Sequence, residues 1–345
     1  MKEWRVIEAT DPKQWDDFVS QYSQYQYVKW TFKKIIKAAF GHNSLYLLAV
    51  NENNEVGAAL PLVQTKSMLF GNLLTSMPFL NYGGLMGPES KAKEAILKYC
   101  EDFYAKDNCK SITIREDQEL TDASWQCLTH KVTMILTLPE TADELGKAIG
   151  SKRRSQIRRS AKEGAYTKVG KAELLDDFYL VFAENMRDLG TPVYSKKWFS
   201  ALFDNIAEHC HLVVVYLHDM PVAACFLIRH QDQMEIPWAS SLRSANKFSV
   251  NMALYWEALS FSIEQGAKTF DFGRCDKNSN TQKFKKQWGS EEHQLFWYQY
   301  TGISNTEVQQ LNPKSGKFEK LVEIWQKLPL QVANVVGPHI VKNIP

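Results

Sequence analysis

One short pattern occurs twice in this 345-residue chain: an apolar strand, a polar turn, and a strand of small or apolar residues. The first copy is Leu45-Tyr46-Leu47-Leu48-Ala49-Val50, then Asn51-Glu52-Asn53-Asn54-Glu55, then Val56-Gly57-Ala58-Ala59-Leu60. The second is Leu212-Val213-Val214-Val215-Tyr216-Leu217, then His218-Asp219-Met220-Pro221, then Val222-Ala223-Ala224-Cys225-Phe226. Apolar runs of this length bounded by turn residues predict β-hairpins. Their surroundings match as well. A helix-like region precedes each, over 15–40 and 174–208. A further strand, a helix and another strand follow each, over 69–76, 91–104 and 111–115 in the first half and 234–240, 250–264 and 268–272 in the second. Solenoid units recur every ~20–50 residues, so a period this long predicts two copies of one α/β domain.

The join is expected between 139 and 150, where an acidic helical stretch gives way to a basic one. That reading divides the chain into domains at 1–142 and 143–303, with a tail at 304–345. In the tail, 301–314 reads as a loop and 318–336 as a helix interrupted at Pro329. Its amphipathic stripe of Leu321, Ile324, Trp325 and Leu328 is expected to pack on the protein body, with contact to a membrane surface as the alternative.

A chain with 44% hydrophobic and 12% aromatic residues can fill two such cores, which excludes wholesale disorder. Its net charge of +2 provides no overall field for a polyanion, so any such contact must come from a local cluster. Met1-Lys2-Glu3-Trp4-Arg5 is too polar for a signal peptide, and no apolar run approaches the ~20 residues of a membrane helix. The six cysteines are scattered without a CxxC pair. A cytoplasmic protein with reduced thiols and no structural metal is the expectation.

The chemistry concentrates in Phe270-Asp271-Phe272-Gly273-Arg274 and, ten residues on, Phe284-Lys285-Lys286-Gln287-Trp288-Gly289. A buried-type strand presents an acid and an arginine at its carboxyl end, where open α/β sheets place ligands. A polar loop at 275–282 then delivers Lys285 between two aromatic residues. Cations held there can stabilise an anionic group or a developing oxyanion. Asp271 reads as a candidate base or as the residue that orients Arg274.

Other segments carry weaker signals. Lys152, Arg153, Arg154, Arg158, Arg159 and Lys162 form a basic helix on which Arg154 and Arg158 lie one turn apart. That face suits phosphates of tRNA, a nucleotide-sugar or a lipid pyrophosphate, and equally suits plain solvent. Asn81 and Tyr82, before the paired glycines Gly83 and Gly84, offer polar reach to a ligand or form a tight turn. Trp238 and Asn251 bracket a polar strand-to-helix stretch and read as substrate contacts or core. His209 and His211 have no partner ligands, so no metal site is expected.

Together these segments resemble the FemAB-related branch of the GNAT superfamily. They are especially similar to FemAB-like proteins of the PEP-CTERM/exosortase exopolysaccharide system, which carry a BioF2-like acetyltransferase domain. The residues that carry the likeness include Ser76-Met77-Pro78-Phe79-Leu80-Asn81-Tyr82-Gly83-Gly84 and Met186-Arg187-Asp188-Leu189-Gly190-Thr191-Pro192-Val193. With them go Asn251-Met252-Ala253-Leu254-Tyr255-Trp256-Glu257, the 270–274 and 284–289 segments, and Trp325-Gln326-Lys327-Leu328-Pro329-Leu330 with Gly337-Pro338. The resemblance implies an α/β (α+β) fold of tandem GNAT-like domains sharing a cleft, with a carboxyl-terminal helical tail. It implies acyl or aminoacyl transfer onto an exopolysaccharide or cell-envelope precursor, from an acyl-CoA or aminoacyl-tRNA donor and without a required cofactor or metal. Lys285 matches the family lysine that engages the donor end and stabilises charge, with Arg274 and Trp288 beside it. The QxxGxG pattern of coenzyme A binding is absent from 244–247, and so is the long helical arm of some Fem enzymes. A non-catalytic GNAT-fold protein that holds a polysaccharide or lipid-linked precursor is the alternative.

Overall fold

The computed structural model describes residues 3–68, 70–120, 125–302 and 316–344. The first half opens with β1 (Arg5–Glu8), α1 (Pro12–Tyr22) and α2 (Thr31–Phe40), then the hairpin β2 (Asn43–Val50) and β3 (Val56–Ser67). It continues through β4 (Gly71–Thr75), α3 (Ser90–Lys106), β5 (Ser111–Glu116), β6 (Gln126–Leu128) and β7 (Lys131–Thr137). The second half starts with α4 (Ala142–Ala148), α5 (Gly150–Lys162), β8 (Ala165–Gly170), α6 (Leu175–Leu189) and α7 (Lys196–Ile206). Its hairpin is β9 (Cys210–Leu217) and β10 (Met220–His230), followed by β11 (Gln233–Ser241), α8 (Val250–Glu264) and β12 (Thr269–Asp276). Then come α9 (Asn280–Lys286), β13 (Glu291–Gln294), β14 (Phe296–Tyr300), α10 (Gly316–Gln326) and α11 (Leu330–Val341). From 303 to 315 the expected loop and the start of the tail lie outside the described residues.

Among the described residues this is a mixed α/β fold with two seven-stranded sheets, ordered β1-β2-β3-β4-β5-β14-β6 and β13-β7-β12-β11-β10-β9-β8. The repeated sequence pattern becomes a repeated topology. In each sheet the hairpin continues antiparallel into a third strand, which pairs in parallel with the strand after the helix: β4 with β5, β11 with β12.

Sheet membership does not follow chain order. β7 precedes the join read at 142/143 yet belongs to the second sheet, and β14 precedes 303 yet sits between β5 and β6 in the first. The compact units divide accordingly. One holds the chain through Val132, the strand from Gln294 and the last residues from Lys342; the other holds Thr133–His293 and the helices up to Val341. Strand membership rests on backbone pairing partners, which a strand's own composition does not encode.

The apolar runs follow from burial on both faces. In β10, Phe226 meets Phe178 of α6 and Phe199 of α7 at 5.9 and 5.7 Å between ring centres. Its neighbour Cys225 instead faces Tyr255 of α8, whose hydroxyl is driven far above its ordinary pKa by burial, with Cys225 adding to the shift. Alternation along one strand thus serves two helical layers.

The tail buries part of the expected stripe, with Trp325 and Leu328 half-buried. Leu321 and Ile324 are 59% and 60% exposed. α10 meets α6 through Val322, which sits where a side chain on Gly190 would have to go. Arg187 of α6 donates from Nη1 to the Leu328 carbonyl at 3.0 Å. Gly190 also ends α6 in the left-handed region (φ +77°), so the position needs glycine for conformation and for close approach. In α11, Ala333, Gly337 and Val341 are buried, with Gly337 against the backbone of Val193.

Candidate active site

β11 and β12 pair only over Gln233↔Thr269, Met234↔Phe270 and Glu235↔Asp271. Beyond that, β11 stays with β10 as far as Ser241 while β12 runs on to Asp276. Parallel strands that part at their carboxyl ends leave a crevice edged with backbone groups, a usual place for ligands in open sheets.

Asp271 stands at the point of parting, fully buried. Its Oδ1 accepts from Thr133 Oγ1 at 2.5 Å and from the Gly273 N–H at 2.7 Å, and its Oδ2 accepts from Gln233 Nε2 at 3.3 Å. Gly273 has φ +73°, a conformation that glycine adopts without Cβ strain. Lys285 Nζ then donates to the Gly273 carbonyl at 2.7 Å and to the Arg274 carbonyl at 3.1 Å. The acid therefore fixes the bend whose carbonyls hold the lysine.

Lys285 lies on a helix rather than at the end of a loop. Ser279 caps α9, its Oγ accepting from the Gln282 N–H at 3.2 Å. Gln282, Lys285 and Trp288 recur at three-residue intervals and are buried, whereas Lys283 and Lys286 are exposed and Lys286 pairs with Glu292 at 3.2 Å. Of three lysines in the run, only the middle one turns inward. Burial pushes its ammonium below the ordinary lysine pKa; Cys275, Asp271 and Glu235 pull it back up, and Arg274 lowers it further. Lysine has three donor hydrogens, and two carbonyls are its acceptors among the described residues. Trp288, 2% exposed, has no acceptor for its Nε1 there either. Its ring stacks at 6.1 Å on Tyr255, which meets Phe284 at 5.0 Å. Arg274 is half-buried at the strand end.

Asp271, Arg274, Lys285 and Trp288 are thus brought together. The remaining candidates have other settings. Trp238 is 8% exposed and meets Trp198, Phe199 and Phe226 edge-on at 5.2–5.9 Å between ring centres, which makes it core. Asn251 is half-buried in the first turn of α8, after Ser249 in the left-handed region (φ +60°). Arg154 donates from Nη1 to the Gly146 carbonyl at 2.7 Å, capping the end of α4, and Arg158 Nε donates to the Arg154 carbonyl at 3.3 Å.

In the first unit, β4 and β5 part after Thr75↔Thr113, and the 76–84 segment folds over the opening. Arg115 Nη1 donates to the Leu80 carbonyl at 2.8 Å, and Glu116 Oε1 accepts from the Leu85 N–H at 2.5 Å. Asn81 and Tyr82 are buried, with Tyr82 stacked on Tyr25 at 4.3 Å. Gly84 is glycine because the Glu116 carboxylate occupies the space of a side chain. Burial pushes the Glu116 carboxyl up to about 8, against the lowering effect of the Leu85 N–H.

Sequence reasoning missed Thr133, Gln233 and the buried pair His230–Glu235, joined at 2.7 Å between Nε2 and Oε2. Thr133 and Glu235 were visible as polar residues interrupting apolar strands, whereas His230 and Gln233 lie at strand ends within the polar run at 229–233. Their partners became identifiable only from the fold. No cluster of three or more His, Cys, Asp or Glu among the described residues is placed to hold a metal ion.

Residues 151–286, which contain this parting, match a family described as an acetyltransferase (GNAT) domain. None of the curated proteins matches the chain. Among solved structures, the fold is similar to that of FemX at 16% identity and TM-score 0.61, covering 86% of this chain and 98% of that one. L-PGS from Bacillus licheniformis aligns at 13% identity and TM-score 0.56 over 96% of this chain and 98% of its own. A tandem GNAT protein from the clavulanic acid biosynthesis pathway aligns at 8% and 0.56, over 88% of this chain and 100% of that one. The fold is a tandem GNAT-like one.

Proposed function

We propose that the second unit transfers an acyl or aminoacyl group, with Lys285 holding the donor or the oxyanion formed on it. The observation that carries this reading is the buried Lys285 ammonium at the parted strands, with a donor hydrogen to spare and Trp288 Nε1 beside it without an acceptor. The GNAT match over 151–286 supports an activated acyl donor.

An acceptor amine or hydroxyl attacks the acyl carbon while the bond to the leaving sulfur or oxygen breaks. The acceptor's proton leaves to the departing group or to solvent. Lys285, supported by Arg274, meets the negative charge on the acyl oxygen or a donor phosphate. Holding donor and acceptor together supplies much of the rate. Asp271 acts here as a positioning residue, since its carboxylate already accepts from Thr133, Gln233 and Gly273. Asn251 and Trp288 contact substrate in this reading, and Asn81 and Tyr82, buried in the first unit, shape its own 76–84 segment. Trp238, Arg154 and Arg158 act through packing and helix capping.

The donor is acyl-CoA or aminoacyl-tRNA, and the acceptor an exopolysaccharide or envelope precursor of the PEP-CTERM/exosortase type, met in the cytoplasm near the membrane. The chain divides for these tasks into a first domain at 1–142, a second at 143–303 and a tail at 304–345, with β7 and β14 exchanged between the sheets. One observation favours the alternative of a non-catalytic precursor-binding protein: the turn before α8 is a 3-10 helix, Arg243–Phe248, without glycine.

Calorimetric titration with acetyl-CoA and with aminoacyl-tRNA, on the wild type and Lys285→Met, tests the reading. Binding of one donor, weakened in the variant and followed by turnover with an envelope-precursor acceptor, is the expected result. Precursor binding with no donor binding would favour the scaffold.

A further inference from the structure

Large apolar side chains stand in solvent on both tail helices. Leu321 and Ile324 of α10 are 59% and 60% exposed, and Val332, Val335 and Val336 of α11 are 43%, 68% and 40% exposed. These side chains are not the ones facing the protein. α10 uses Val322 against α6, and α11 buries Ala333, Gly337 and Val341. By helical geometry the three valines and His339 share one side of α11, within an arc of about 100°.

The charge pattern says what covers this surface. From Ile324 to Pro345 the sequence contains no Asp or Glu; its ionisable side chains are Lys327, His339 and Lys342. On α10, Lys320 borders the stripe of Leu321 and Ile324 and Glu319 falls on the opposite side of the helix, with Glu323 about 100° around from Ile324; Lys327 follows just after the helix. An apolar face edged by cations, with no carboxylate from Ile324 onward, matches an anionic lipid surface: branched side chains enter the acyl boundary and lysines reach the phosphates. A twofold contact with a second copy would bury the same valines without drawing on the lysines' charge, and sedimentation separates it from lipid binding. No helix among the described residues is long and apolar enough to cross a membrane, so the mode is adsorption.

We propose that α10 and α11 dock this protein on an anionic lipid bilayer, lying in its interface through Leu321, Ile324, Val332, Val335 and Val336. The surface is independent of the chemistry at Lys285, so either idea can fail alone. Flotation of the full chain with vesicles of phosphatidylcholine, with and without an equal part of phosphatidylglycerol, tests it. The variants are Leu321→Ser/Ile324→Ser and Val332→Ser/Val335→Ser/Val336→Ser, with thermal midpoints and sedimentation velocity measured alongside. The wild type should float with the anionic vesicles, and each variant should bind them at least about tenfold more weakly at an unchanged thermal midpoint. The proposal is overturned if the wild type stays in the aqueous fraction or if well-folded variants float equally well. It is also overturned if the wild type is a lipid-independent dimer that the serine variants dissociate.

Discussion

The Lys285 ammonium donates to the Gly273 carbonyl at 2.7 Å, across a bend that Asp271 fixes by accepting the Gly273 N–H at the same distance. A buried cation is thereby held by backbone dipoles rather than by direct pairing with a carboxylate. That arrangement leaves the ammonium's charge available to a ligand, where an ion pair would spend most of it locally.

Replacing Lys285 with methionine is expected to lower acyl transfer by about 10²–10³-fold, the usual effect of removing one charge-stabilising donor. Stability should fall by about 1–3 kcal/mol, because two carbonyls lose their partner. Urea unfolding and a transfer assay separate these effects, and full turnover in a folded variant would remove Lys285 from the reaction. Lys285→Arg should not rescue, since a planar guanidinium cannot meet both carbonyls from the same position.

If Asp271 positions rather than abstracts a proton, Asp271→Asn should weaken donor binding without deleting the acidic limb of the pH–rate profile. The amide would still accept from Gly273 while its NH₂ opposes Gln233 Nε2, a cost of about 1–3 kcal/mol. Loss of that limb in the variant would restore Asp271 as the base.

Glu116 makes a pH-dependent contribution with a definite sign. Its folded-state pKa, raised to about 8, lies above the unfolded value, so its contribution is fully present below about pH 4.5 and is lost as pH rises through 8. Wild type should therefore lose stability relative to Glu116→Gln between pH 5 and 8, by an amount on the order of 4–5 kcal/mol at most. Denaturant midpoints measured across that range give the difference, and parallel pH curves would contradict it.

Gly337→Ala should destabilise the tail. A Cβ there would sit 2.9 Å from the Val193 backbone nitrogen, closer than packing tolerates, at a cost of about 1–3 kcal/mol. Gly146→Ala is the control. It lies inside α4 with only the Trp256 ring at 3.4 Å, so the helix should gain up to about 1 kcal/mol. Thermal unfolding of the two variants should shift in opposite directions.

The amino-acid sequence alone determined the duplicated hairpins, the helices that follow them and the boundaries of α8, because a buried strand or helix shows as an apolar run bounded by polar and turn residues in local composition. It also marked Asp271, Arg274 and Lys285 as neighbours, since each lies close to one strand end. Tertiary structure decided what local pattern does not encode. β7 and β14 join sheets according to backbone partners far along the chain. Lys285 turns inward while Lys283 and Lys286 face water, because the register of α9 is set by its cap and by Trp288. The tail stripe of Leu321 and Ile324 faces outward because Gly190 admits Val322 more closely than any other residue would allow. In each case the deciding quantity is the fit between surfaces distant in sequence, which exists only once the chain has folded.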